Sequence, residues 1–228
     1  MSASLLDRIA DGRTDLVFEH VGGGHPATTE VNGAKLINLC FYYGDVSAIR
    51  FLLAHGESLA SLNEDGNFGL GTACFFGHWQ LCQFLIECGA DVNVASPDTG
   101  ESPLHSALVK PNSPHFDLVI RLLLGNGANP NVATKPNVET GAFMRDCRTK
   151  GETPLHRAAA FGTEDAVQML LDSGAIVDAR DMNAETPLSW GSWYKRPDAV
   201  LRKLCYGPHH IRAGRKSMAE YLRGIPHV

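Results

Sequence analysis

The sequence predicts an all-helical solenoid built of stacked helix-turn-helix units. Three stretches of the chain are versions of one phrase: GESPLHSA from Gly100, GETPLHRA from Gly151 and AETPLSWG from Ala184. After each copy comes a second apolar helix pattern that ends in a glycine, as in VIRLLLGNGANPN (119–131) and AVQMLLDSGAIVD (166–178). A phrase repeated every few tens of residues indicates one supersecondary unit per repeat, and such units stack to bury their apolar faces.

The glycines that close the second helices give the register of the units. They are Gly56, Gly89, Gly127, Gly174 and Gly207, with spacings of 33, 38, 47 and 33 residues. A second series falls between the two helices of a unit: Gly12, Gly44, Gly77 and Gly162, with Lys195 in the last unit. Both series place the extra residues in the same two segments. The sequence therefore predicts enlarged loops at 109–117 and 132–150.

The phrase Thr153-Pro154-Leu155-His156 and its copies resemble the ankyrin repeat, whose signature is T-P-L-H-x-A on a period of about 33 residues. The resemblance implies one domain over 1–228 with about six repeats. Residues 1–32 form the N-terminal cap repeat, 33–207 the repeats, and 208–228 a basic C-terminal cap with a capping helix. Terminal units of a solenoid need a polar outer face, which the degenerate first unit supplies.

Each signature residue has a structural role. Thr153 can act as an N-cap, and Pro154 fits the first turn, where its missing N–H is not needed. The resemblance implies that His105 and His156 tie adjacent turns together by hydrogen bonds. The chain carries no nucleophile elbow, phosphate-binding loop or H-E-x-x-H helix. We therefore expect no enzyme activity, no cofactor and no metal site.

Candidate partner-binding residues are the aromatics near the end of each first helix. In ankyrin stacks this end tends to lie along the concave groove, and aromatic side chains supply large contact areas at interfaces. The alternative, that these rings pack between units, stays open. The candidates are Tyr42, Tyr43, Phe75, Phe76, Phe161, Trp193 and Tyr194, with Trp190 on the same helix as Trp193.

The two insertions differ in character. Two prolines and several polar residues in 109–117 indicate a surface loop. The 132–150 segment instead holds Phe143 and Met144 beside Arg145. Long loops in compact folds are often functional, so these three residues are predicted to contact a partner. The other interpretation is that Phe143 and Met144 fold back into a gap between units.

Charge is unevenly distributed along the chain. The net charge is −5, yet residues 195–228 hold eight Lys/Arg against two Asp/Glu, a net charge of +6. Arg212, Arg215 and Lys216 are candidate anion-binding residues, and a solvated capping face is the alternative. No apolar run is long enough to span a bilayer and no export signal is visible. These features predict a cytoplasmic location, with the nucleus or delivery into a host cell left open.

We expect a non-enzymatic scaffold, monomeric by itself, that binds an unidentified protein through its concave face, finger loops and the 132–150 insertion. One alternative is a stand-alone inhibitor or immunity-type protein that occludes its partner. Another is binding of an anionic ligand or nucleic acid through the basic tail, which is the less favoured because no nucleic-acid motif accompanies the charges.

Overall fold

The computed structural model describes residues 4–62, 69–110, 113–140 and 147–206. Within them the helices come in pairs, one pair for each of the six predicted units. The first helices of the pairs are α1 (Leu5–Ala10), α3 (Leu36–Tyr43), α5 (Leu70–Phe76), α7 (Pro103–Ser106), α9 (Pro154–Phe161) and α11 (Pro187–Trp193). The second helices are α2 (Val17–Gly22), α4 (Val46–Ala54), α6 (Trp79–Glu87), α8 (His115–Gly125), α10 (Glu164–Asp172) and α12 (Asp198–Lys203).

The helices form two layers. First helices pack against first helices, as α9 does on α11, and second helices pack against second helices, as α8 does on α10. The core between the layers is aliphatic, with Ile49, Leu52, Leu85 and Ile120 essentially without exposure. Each unit therefore buries its apolar stripe against its neighbours, as a solenoid requires. The predicted all-helical solenoid is confirmed.

The signature residues set the start of the first helices. Thr153 is the N-cap of α9 in an extended conformation, Pro154 opens the helix, and a capping box joins Thr153 to His156. Ser102 and His105 form the same box at α7. The box satisfies backbone N–H groups that the first turn of a helix otherwise leaves without partners.

The closing glycines lie where the chain needs a left-handed backbone. Gly56, Gly89, Gly127 and Gly174 all have φ between 84° and 98°, a region that residues with a Cβ rarely adopt. Gly207 lies outside the described residues. The inter-helix series is less uniform: Gly162 is extended, with φ −67° and ψ 168°, whereas Gly44 and Gly77 have φ of 73° and 77°. Lys195 takes the positive φ (52°) in the next unit.

Both predicted insertion loops contain some regular structure. In the first, α8 begins at His115, so the last three residues of 109–117 are helical. The helix α7 ends after four residues, and Val109 is buried behind it. The second insertion contains a β-hairpin, in which β3 (Glu139–Thr140) pairs antiparallel with β4 (Cys147–Arg148). The apolar pattern could not show strands only two residues long.

A second small hairpin precedes α3. Its strands β1 (Glu30–Val31) and β2 (Ala34–Lys35) pair antiparallel, and the turn residues Asn32 and Gly33 both have positive φ. Asn-Gly is the sequence favoured for such a two-residue turn. Two short 3-10 helices, Thr14–Leu16 and Leu59–Leu62, complete the regular structure of the described ranges. The predicted basic cap, 208–228, lies outside them.

Candidate functional site

A cavity of about 410 Å³ lies between the 132–150 insertion and the helix α11. Thr140, Arg148, Lys150 and Glu152 line one side, and Asn183, Glu185, Trp190, Trp193 and Tyr194 line the other. It opens on the first-helix face, which we define as the surface formed by α3, α5, α7, α9, α11 and the connections that lead into them. It is the face on which the sequence predicts the partner-binding groove. The cavity therefore brings three predicted aromatic residues together with the predicted insertion.

The three aromatic residues of the cavity differ in exposure. Trp193 is 74% exposed, and its Nε1 donates a hydrogen bond of 3.2 Å to Glu185 Oε1. Tyr194 is 42% exposed and packs edge-on against Phe161, with ring centroids 4.6 Å apart. Trp190 is only 4% exposed, so it contributes to the core as well as to the wall of the cavity.

Trp190 is held in place by polar contacts at its edge and its face. Its Nε1 donates to Asp181 Oδ2 at 3.1 Å, and the ammonium group of Lys150 lies 5.5 Å from the centroid of its ring system. Buried indole N–H groups generally need such an acceptor. Trp190, a predicted partner-binding residue, is thus mostly covered, and its N–H bonds the buried carboxylate of Asp181; its role in binding stays a prediction.

A buried ion cluster anchors the insertion to the stack. The fully buried Arg157 donates from Nη2 to Glu101 Oε1 and Glu152 Oε1, both at 2.6 Å. Its Nε donates to Glu152 Oε1 at 3.0 Å, and its Nη1 to the carbonyl oxygen of His105 at 3.3 Å. The guanidinium group thus bonds residues of the fourth and fifth units, on the two sides of the insertion.

The other carboxylate oxygens of this cluster hold the insertion itself. Glu152 Oε2 accepts hydrogen bonds of 2.7 Å from Thr134 Oγ1 and from the backbone N–H of Lys150. Glu101 Oε2 accepts one of 2.8 Å from Thr140 Oγ1 at the end of β3. Burial alone would raise the pKa of Glu152, but Arg157 and these donors outweigh it and lower that pKa to about 2. The cavity wall is therefore attached through an ionised, buried carboxylate.

The signature histidines connect successive units. The backbone N–H of Ser102 donates to His105 Nδ1 (3.1 Å), so the neutral ring donates from Nε2 to the carbonyl oxygen of Glu152 (3.1 Å). His156 makes the same contacts with Thr153 and with the carbonyl oxygen of Glu185. Burial and the nearby Arg157 cation lower the pKa of His105 to about 3. Both histidines serve structure, as the resemblance implies.

A second aromatic group occupies the face of the second and third units. Tyr42 packs edge-on against Tyr43 (5.0 Å between centroids) and Phe76 (5.1 Å), and Phe75 packs against Phe76 (5.4 Å). Tyr42 is the most exposed of them, at 55%, while the hydroxyl of Tyr43 donates to the carbonyl oxygen of Ala10 in the first unit. Packing between units and exposure thus coexist in one cluster.

The aromatic residues do not form one continuous ladder. In the fourth unit, where α7 is short, Lys110 takes the place of an aromatic pair and its ammonium group lies 5.2 Å from the centroid of the Phe75 ring. The remaining predicted site residues lie outside the described residues: Phe143, Met144 and Arg145 in the insertion, and Arg212, Arg215 and Lys216 in the tail. Their roles stay predictions.

Sequence reasoning missed the ion cluster, although the repeated phrase contains it. Glu101 and Glu152 both stand just before the N-cap, in GESPLH and GETPLH, and Arg157 fills the variable position of T-P-L-H-x-A. An arginine at that position, together with a glutamate in each of two successive phrases, could have indicated an ion pair between the units. It becomes meaningful only once the two units are known to be adjacent despite the insertion.

Two other kinds of site were searched for in the part of the chain that the structure describes. No three His, Cys, Asp or Glu side chains are grouped there in a way that could hold a metal ion. None of the helices in these ranges is long and apolar enough to cross a bilayer.

Comparisons with known proteins agree with the repeat geometry. The family model for ankyrin repeats (3 copies) matches residues 36–134 and 119–217. The human Ankyrin repeat and SOCS box protein 16 is 26% identical over 82% of this chain and 46% of its own length. The E3 ubiquitin-protein ligase XBAT33 of Arabidopsis thaliana is 32% identical over 60% of this chain and 28% of its own. Human Rabankyrin-5 is 35% identical over 44% of this chain and 8% of its own. The chain thus spans less than half the length of these relatives, and it belongs to the ankyrin repeat family.

Proposed function

We propose that the chain is a non-enzymatic protein-binding module whose contact surface is the first-helix face, centred on the cavity beside α11. Ankyrin repeats mediate protein–protein interaction, and the cavity is the observation that favours this part of the surface. It combines a highly exposed tryptophan, a half-exposed tyrosine and charged side chains from the insertion. Exposed aromatic residues beside pockets are typical of the few residues that dominate binding energy.

The attachment of the insertion supports the same proposal. Preorganised surfaces bind more tightly because less side-chain and loop entropy is lost on association. Thr140 and Lys150, which line the cavity, are fixed through Glu101 and Glu152 to a buried arginine. The wall of the cavity is therefore ordered before a partner arrives.

Two tryptophans on opposite layers allow a matched test. Trp193 lies on the first-helix face, and Trp79, 39% exposed, lies at the start of the second helix α6. In quantitative affinity purification from the native cells, Trp193→Ser should lose the partner that the wild type captures, while Trp79→Ser should retain it. Equal retention by both variants, with unchanged melting temperatures, would refute the placement of the interface.

The same purification tests the part of the insertion that was predicted from sequence. We expect the double variant Phe143→Ser, Met144→Ser to capture less partner if these residues contact it. Full capture would remove them from the interface and leave the proposal for Trp193 standing.

A further inference from the structure

Three cavities lie along the first-helix face, and a lysine borders each of them. Lys150 lines the 410 Å³ cavity beside α11. Lys110 lies 6.0 Å from the ring centroid of Phe76, which lines a cavity of about 370 Å³ between α3 and α5. Lys135 Nζ donates at 2.5 Å to the carbonyl oxygen of Pro97, which lines a cavity of about 190 Å³ between α5 and α7. A lysine therefore lies beside each of these cavities, and Lys35 Nζ donates at 3.0 Å to Ser61 Oγ in the lining of the 370 Å³ cavity as well.

None of these three lysines forms an ion pair with a carboxylate of the described residues. Lys150 and Lys110 lie over aromatic rings, and Lys135 bonds a backbone carbonyl. Other cations of the chain do find carboxylates: Arg50 pairs with Glu87, and Lys203 with Glu164. Acidic residues outnumber basic ones by 25 to 20. Lysines that have no carboxylate partner within the described ranges are thus gathered on this face of an acidic protein.

Four carboxylates close to the cavities are already engaged. Glu101 and Glu152 are bound to Arg157, and Glu139 is paired with Arg148 at 2.7 Å. Glu185 accepts the indole N–H of Trp193. A partner's cations would meet these four carboxylates in use by the chain itself, whereas a partner's carboxylates would meet three ammonium groups that have no ionic partner among the described residues. Charge complementarity of this kind selects partners and speeds association.

We propose that the first-helix face binds an acidic polypeptide segment, with Asp or Glu side chains that meet Lys110, Lys135 and Lys150 and apolar side chains that contact the exposed rings between them. This inference rests on the proposed function and names the chemistry of its partner. A polypeptide fits better than a nucleic acid. The net charge of −5 repels a strand that is charged at every phosphate, whereas a peptide segment can place a few carboxylates at the lysines and apolar side chains elsewhere. Short carboxylate side chains meet the lysines locally, and the apolar rings need apolar contacts.

The test selects short random-sequence peptides, displayed on phage, on the immobilised full chain. Synthetic versions of the enriched peptides are then titrated by fluorescence anisotropy. We expect these peptides to be rich in Asp and Glu. The triple variant Lys110→Gln, Lys135→Gln, Lys150→Gln should bind them about tenfold more weakly, since three exposed ion pairs of modest strength are lost together. Lys203→Gln, which removes a cation from the second helix α12, should bind within about twofold of the wild type.

Other outcomes separate the inference from the function on which it rests. Neutral or basic peptides whose affinity falls in Trp193→Ser but not in the lysine triple variant would overturn the acidic partner and leave the binding face in place. Peptides insensitive to both variants, or no enrichment at all, would overturn both proposals. A single-stranded oligonucleotide that displaces the acidic peptides at lower concentration than they displace one another would overturn the choice of a polypeptide. Circular dichroism and thermal melting confirm that each variant is folded.

Discussion

Replacing Arg157 by methionine should destabilise the whole stack, because it leaves two carboxylates without their cation. Arg157 is fully buried, and its partners Glu101 and Glu152 are 9% and 2% exposed. Removing one member of such a buried cluster typically costs about 3–5 kcal/mol. The fall in the pKa of Glu152 from 4.5 to about 2 corresponds to about 3 kcal/mol at neutral pH, which is the same order.

The lowered pKa of Glu152 also predicts how the cost of Arg157→Met changes with pH. A carboxylate whose pKa is lowered in the folded state contributes stability above its unfolded pKa, and loses it as the pH falls through the folded value. For Glu152 the window runs from pH 4.5 down to about 2. The wild type loses this contribution in that window, whereas Arg157→Met lacks it throughout. The difference in unfolding free energy between the two should therefore shrink as the pH falls below 4.5.

Urea denaturation followed by circular dichroism at pH 7 and at pH 3 measures both effects. Arg121→Met is the matched control, because Arg121 is exposed on α8 and its loss should change the free energy of unfolding by less than about 0.5 kcal/mol. A cost below about 1 kcal/mol for Arg157→Met at pH 7 would refute the reasoning, because that is the range of exposed pairs. So would a cost that is undiminished at pH 3.

Two further predictions concern the repeat itself. Gly127→Ala should lower the free energy of unfolding by about 1 kcal/mol, because φ is 84° there, although an added Cβ would meet no other atom. Gly125→Ala, at the end of α8 and equally open, should raise that free energy by about 0.5 kcal/mol. Equal effects of the two variants in urea denaturation would contradict the role of the backbone conformation. The pKa of His105 falls from 6.5 to about 3 on folding, so protonation favours the unfolded chain and stability should drop by about 2 kcal/mol between pH 6.5 and pH 5. His105→Gln should flatten that slope in denaturation measured across the same range, and an unchanged slope would argue against it.

The architecture could be predicted from sequence because it depends on short, local signals repeated many times. A Thr-Pro pair at a helix start and a glycine after a helix end each act within a few residues. Because every unit repeats them, a unit with a weak signal can be interpreted from its neighbours. The six pairs of helices follow from that redundancy. A residue type at one position does not settle the backbone conformation there: Gly162 looks like its counterparts, yet its backbone is extended while Gly44 and Gly77 have positive φ.

The candidate site could be predicted only in part for the same reason. The exposed ends of the first helices follow from the period, so Trp193 and Tyr194 were found. The cavity beside them needs the insertion to return to the stack, and this return depends on Arg157 reaching glutamates 56 and 5 residues away in sequence. The burial of Trp190 could not be predicted. Its aromatic character suggested a contact residue, while the acceptor Asp181 that draws it inwards is nine residues earlier.

The ion cluster links the stability of the solenoid to the shape of the proposed binding face. An insertion between two stacked units adds a small entropy cost for closing the longer loop, and contacts between the flanking units offset it. Arg157 bonds Glu101 of the fourth unit and Glu152 of the fifth, and the oxygens left over bind Thr134, Thr140 and Lys150 of the insertion. One set of buried groups therefore joins the units and fixes the cavity wall. It follows that substitutions in this cluster should weaken partner binding even where the fold survives, although none of its charges needs to touch the partner.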